Sequence, residues 1–124
     1  MSVPVDVSDL ESRLVEFGRT PFLVTTGDDL RPHTTHVVVA LDDENLVSMV
    51  GRTTAHNASA RSLVALLWMP VETDGYSLIV DGEATVDGST VRVRPTKAIL
   101  HRNAGGENYA ADCLRLDGSV PVTD

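Results

Sequence analysis

The chain is poor in cysteine, in basic residues and in long apolar runs, and each shortage closes off a class of protein. Cys113 is the single cysteine in 124 residues, so no disulfide forms within the chain and a zinc site of several cysteines is excluded. Ten Lys plus Arg face eighteen Asp plus Glu, a formal charge of −8 with a pI near 4.8. That balance opposes general attraction to nucleic acid or anionic lipid. No segment is long and apolar enough to span a bilayer, and the opening MSVPVDVSDLESRL lacks the basic flank and apolar run of a signal peptide. The expectation is a cytoplasmic protein. Internal repeats and low-complexity tracts are absent. Also missing are a Gly-x-Ser-x-Gly elbow, a Walker-type phosphate loop and a His-Glu-x-x-His helix, so hydrolase, nucleotidase and metalloprotease readings have no support.

What is present fits one domain spanning residues 1–124, with hydrophobic residues at 42% and charged ones at 23%, the mix of a folded soluble protein. Ser8-Asp9-Leu10-Glu11 has the form of a capping box, followed at helical spacing by Leu10, Leu14 and Phe17, with Gly18 placed to end the helix. From Thr20 onward β-branched residues dominate. Phe22 to Thr26 and Thr34 to Leu41 predict a hairpin around Gly27-Asp28-Asp29, and Leu46 to Val50 a third strand. Ser62 to Met69, Tyr76 to Val86 and Val91 to His101 predict three more, the last two joined by a tight Asp87-Gly88 turn and the last bulged or unpaired near Pro95. The fold class expected is therefore mainly β: a small six-stranded antiparallel barrel with an N-terminal helix and a short helix, about Thr54 to Arg61, between the third and fourth strands. The tail from Asn103, residues 103–124, has no clear period and reads as a mobile or partner-docked segment.

Asn45 to Trp68 concentrates the chemistry. An apolar strand gives way to Gly51-Arg52-Thr53-Thr54 at a helix start, where unpaired N–H groups and the positive end of the helix dipole form a cradle for phosphate. The same four residues also fit a plain capped helix, with Thr53 as N-cap and Arg52 in solvent.

In order and spacing, several motifs resemble the pyridoxamine 5′-phosphate oxidase-like split-barrel family of flavin-binding proteins. Ser48 to Leu67 corresponds without gaps to the family's strand, phosphate-binding turn, helix and next strand, including Asn57 and Val64-Ala65-Leu66. Arg31-Pro32-His33 resembles its Gly-Arg-Pro-His element, with Leu30 where glycine stands, and Val80-Asp81-Gly82 resembles its Val-Glu-Gly element. The resemblance covers about Ser8 to Arg102. It implies an FMN-dependent oxidoreductase acting on a small molecule, a homodimer with cofactor at the subunit interface. The phosphate would lie near Arg52, Thr53 and Thr54, with Asn57 close by. The ribityl chain and ring would pass Ser48 and the strand at Thr35, His36 and Val37, and Ser77 would approach from the partner subunit. The authentic oxidase has basic residues at the positions of Thr35, Thr53 and Thr54 and glutamine at that of Ser77, so this chain is not read as that enzyme. Neutral contacts hold phosphate less strongly than charged ones. A deazaflavin coenzyme or haem is the alternative cofactor, and a non-enzymatic ligand-binding or regulatory domain the alternative function.

Other candidates have plain explanations. His33 and His36 fall on opposite faces of a strand, against a shared metal, and His56 and His101 add no ligand spacing. No metal site is expected. Asn57 equally fits a helix-buttressing role. Trp68 and Tyr76 either stack on a flat ring or pack at an interface, and Cys113 lacks an activating neighbour.

Overall fold

Gly88, at φ 62°, closes the longest hairpin: β7 (Ser77–Asp87) pairs antiparallel with β8 (Thr90–His101) along its whole length. Both strands alternate buried and exposed residues, with Leu78, Val80, Ala84, Val91 and Val93 in the core. Register changes where Asp81 faces Lys97 but Gly82 faces Pro95. Thr96 is the extra residue, and its hydroxyl donates to the Asp81 carbonyl at 3.2 Å. The irregularity expected near Pro95 is thus a bulge one residue further on.

The structure, a computed structural model, describes residues 2–102; the tail 103–124, with Cys113, lies outside the described residues. The other strands are β1 (Ser2–Val5), β2 (Phe22–Thr26), β3 (Pro32–His36), β4 (Ala40–Asp42), β5 (Asn45–Met49) and β6 (Leu63–Trp68), and the helices are α1 (Leu10–Phe17) and α2 (Arg52–Ala60). They form one antiparallel sheet in the order β3-β2-β6-β7-β8-β5-β4, with β1 added to β8. The described strands number eight, not six. Ser2–Val5 escaped notice because only Val5 of the four is buried and Pro4 interrupts it. Thr34 to Leu41 is two strands: after His36 the chain leaves the β2 ladder, Val37 and Val39 donate their N–H groups to Pro21 and Arg19 carbonyls at 3.0 and 2.8 Å, and Ala40 onward pairs with β5.

The N-terminal helix is real, but its cap is not Ser8. Asp6 accepts the Ser8 N–H at 3.0 Å and the Ser8 hydroxyl at 2.8 Å, starting a 3-10 turn over Val7–Asp9 that runs into α1. Gly18, at φ 88°, ends α1 by donating to the Leu14 carbonyl at 2.8 Å. Trp68 is buried, and its indole N–H reaches the Gly18 carbonyl at 2.9 Å, tying the end of α1 to β6. Leu23, Leu46, Leu66 and Val64 complete the centre of the core. No helix among the described residues is long and apolar enough to cross a membrane.

Candidate functional site

Helix α2 begins two residues earlier than its apolar pattern indicates. Gly51 is the N-cap, in extended conformation, and no side chain caps the helix. The first intrahelical bond runs from the Ala55 N–H to the Gly51 carbonyl at 3.0 Å, leaving the N–H groups of Arg52, Thr53 and Thr54 without helical partners. The plain reading, with Thr53 as N-cap, is therefore replaced. An added Cβ on Gly51 would meet nothing within 4 Å, so the approach to these donors is open. Arg52 is exposed and makes no ion pair among the described residues, whereas Arg13, Arg31, Arg61, Arg92 and Arg94 each face a carboxylate.

Arg52, Thr53, His56 and Asn57 form one wall of a groove of about 720 Å³; the hairpin turn opposite supplies Gly27, Asp28, Asp29, Arg31, Pro32 and His33. Spacings of four residues explain that wall, since positions 52/56 and 53/57 share a helix face. Three links hold the walls together. Asn57 is buried and donates from its amide to the Thr25 hydroxyl at 3.2 Å, which realises the buttressing role. Thr54 is buried too, its hydroxyl 3.3 Å from His33 Nε2, so only its backbone N–H is available to a ligand. Outermost, Asp28 faces His56 Nε2 at 2.9 and 3.0 Å and accepts from Arg61 at 3.0 Å. Arg61 and then His56, through those hydrogen bonds, hold the Asp28 carboxyl below its ordinary range.

A second groove of about 590 Å³ lies where the turn after β3 meets β5, lined by His36, Val37, Val38, Val39, Ala40, Val47, Ser48 and Met49. It is mainly apolar, with the Ser48 hydroxyl and the His36 imidazole as polar groups. His36 stacks on Phe22 with ring centroids 4.8 Å apart, and its Nε2 donates to the Thr20 carbonyl at 2.8 Å. Only two residues separate the two grooves on each run, between His33 and His36 and between Met49 and Arg52, about 10 Å of extended chain.

The expected site residues thus divide. His36, Val37 and Ser48 share the apolar groove; Arg52, Thr53 and Asn57 share the polar one. Thr35, half-buried opposite Leu23, lines neither. Ser77 sits at the start of β7 opposite His101, outside both grooves of its own protomer. Trp68 is a core residue, not a stacking platform, and Tyr76 carries Arg102 over its ring at 4.8 Å. The sequence reading missed Asp28, His33 and His56 as groove residues. The four-residue spacing from Arg52 to His56 was the signal available for His56. Among the described residues no group of three or more His, Cys, Asp or Glu could hold a metal ion.

No protein-family model matches the chain. Two uncharacterised proteins, of Mycobacterium bovis and Mycobacterium tuberculosis, are each 36% identical to it over 142 aligned positions, covering 94% of this chain and 96% of theirs. Among solved structures, a putative pyridoxamine 5′-phosphate oxidase from Listeria innocua superimposes with a TM-score of 0.59 at 14% identity, covering 79% of this chain and 100% of its own. The chain shares its fold with pyridoxamine 5′-phosphate oxidase-like proteins. An FAD binding protein from Mycobacterium smegmatis shares this fold (TM-score 0.60, 19% identity, 82% of this chain and 100% of that one). So do an F420 reductase (0.58, 19%, 70% and 94%) and a heme binding protein from M. smegmatis (0.62, 13%, 83% and 57%). Split-barrel proteins with this fold therefore include binders of flavin, of a deazaflavin and of haem.

Proposed function

We propose that the chain binds a flavin-type cofactor, FMN in the first instance, and serves as an oxidoreductase for a small molecule. The observation that carries the reading is the Arg52 guanidinium, without an ion-pair partner among the described residues, beside three helix-start N–H groups. In a chain of net charge −8, a cation without a carboxylate partner, set at the positive end of a helix, is a specific provision for an anion. A phosphate fits the donor set of this groove, and a flat ring fits the apolar groove next to it. A second copy of the chain is proposed to cover the ring side. Val38 and Met49, 67% and 77% exposed on the rim of that groove, supply apolar surface for the contact, and Ser77 of the partner subunit would come from that copy.

A bound flavin supplies hydride transfer at its ring. The chain's part is binding and exclusion of water: Arg52 and the backbone N–H groups of Arg52, Thr53 and Thr54 hold the phosphate, and Val37, Val39 and Val47 wall the ring from solvent. No acid, base or nucleophile of the chain is required for that chemistry.

Titration with FMN, followed by quenching of flavin fluorescence, tests the reading. Arg52→Ala is expected to weaken FMN binding by about 10- to 100-fold, the worth of a hydrogen bond to a charged group, and to leave riboflavin, which has no phosphate, within about twofold. Equal affinity of Arg52→Ala and wild type for FMN would remove Arg52 from the phosphate site. A deazaflavin is the second reading, favoured by the neutral side chains of Thr35, Thr53 and Thr54; the absorbance spectrum of freshly purified protein separates it from FMN and from haem. A colourless protein that binds none of these would favour the non-enzymatic alternative.

A further inference from the structure

His56 stands four residues after Arg52 on the same face of α2, and both line the polar groove. Its ring is oriented by one nitrogen alone. Nε2 faces both oxygens of Asp28, at 3.0 and 2.9 Å, while Nδ1 has no partner among the described residues. Asp28 is itself fixed from the other side by Arg61 at 3.0 Å. A carboxylate accepts and does not donate, so the proton of a neutral His56 belongs on Nε2. Nδ1 then presents a bare lone pair.

That arrangement has two states of opposite character toward an anion. With His56 neutral, the Nδ1 lone pair repels a phosphate oxygen. With His56 protonated, Nδ1–H becomes a charged donor. We propose that His56 is a second anion contact of the polar groove, available when its Nδ1 is protonated, and that ligand affinity is thereby coupled to pH. This rests on the phosphate reading of the groove and extends it to a residue that no resemblance assigns.

The other charged groups facing this space limit the effect. Asp28 and Arg61 bond to each other, Asp29 faces Arg31 at 3.7 Å, and Arg52 has no ion-pair partner among the described residues. His33, across the groove, engages Thr54 through Nε2. The carboxylates thus have cationic partners of their own, and the charge His56 gains is not cancelled by an unpaired acid among the described groove residues.

The comparison is wild type against His56→Gln, which removes the titration while its amide can still donate to Asp28. FMN affinity is measured from pH 8 to pH 5.5. Protonation of the phosphate is common to both proteins, so the difference between the two pH profiles isolates His56. Wild type is expected to gain about fivefold over the variant toward low pH, the size of one close charge interaction in water. Riboflavin should show no such difference. Superimposable FMN profiles overturn the inference while leaving Arg52 and the cofactor reading intact. A readout without cofactor follows the His56 ring by NMR in the presence and absence of inorganic phosphate. A bound anion moves its titration to higher pH; a titration that phosphate leaves unchanged overturns the inference even if flavin does not bind.

Discussion

Leu30 holds a conformation that costs the protein energy. Its φ is 67°, it is 73% exposed, and its N–H donates to the Gly27 carbonyl at 2.8 Å in the turn of the β2–β3 hairpin. A left-handed conformation costs an L-residue about 1–2 kcal/mol, and an exposed leucine there recovers nothing from burial. Leu30→Gly relieves the strain but adds freedom to the unfolded chain. We predict a net stabilisation of about 0.5–1 kcal/mol, read as a rise of a few degrees in melting temperature; an unchanged or lower value would mean that Leu30 packs on something the isolated chain does not show. The same position made the sequence informative, because glycine is what the resembling motif has there. Thr54 was harder to interpret. Its hydroxyl looks like a phosphate ligand in a string of residues, and only the fold brings His33 near enough to engage it.

Among the elements, the β7–β8 hairpin was legible almost to the residue, since alternation ran through both strands and Asp87-Gly88 announced the turn. Its bulge demands glycine at position 82. A Cβ added there would lie 2.5 Å from Val93 Cγ1 and 2.7 Å from the Arg94 carbonyl oxygen. Gly82→Ala should cost about 1–3 kcal/mol, measured by urea denaturation. Adding Val93→Ala should recover only part, because the clash with the Arg94 backbone persists; full recovery would show that the side chain alone sets the limit. Elements that depend on partners distant in sequence were less legible. The extended run Thr34 to Leu41 has one uniform β-branched character, yet its first half pairs with β2 and its second with β5. Nothing in those residues marks the division, which is imposed by the N–H groups of Val37 and Val39 reaching back to Pro21 and Arg19. Similarly, α2 starts at Arg52 because Gly51 can cap through its backbone, a choice that apolar periodicity does not register.

For the whole molecule, charge and assembly are the open quantities. A surface of net −8 repels a phosphorylated cofactor at long range, and screening confines that repulsion to roughly 8–10 Å in physiological salt. In the proposed function, binding is therefore won locally, at Arg52 and its helix. The proposed dimer makes a matching prediction. Light scattering should give about twice the 13.3 kDa chain mass, and Met49→Glu, placing a charge on the rim of the apolar groove, should shift the protein toward monomer and weaken FMN binding together. Loss of binding without change of mass would locate Met49 in the ligand contact alone.

The pairing of β2 with β6, Leu23 opposite Leu66, has a consequence for how such proteins diversify. Everything between those strands is one excursion of the chain, leaving the scaffold at Thr26 and returning at Leu63, and it carries both grooves apart from the contribution proposed for Ser77 of the partner subunit. The β2–β6 and β6–β7 ladders make no direct use of it. The same excursion also supplies β3, β4 and β5, with β5 paired to β8 and Leu46 buried in the core, so the groove residues and part of the scaffold share one stretch. A segment from about residue 27 to residue 62 exchanged between homologues would have to keep the β5–β8 register, Leu46 opposite Val93, along with whatever groove residues it brings.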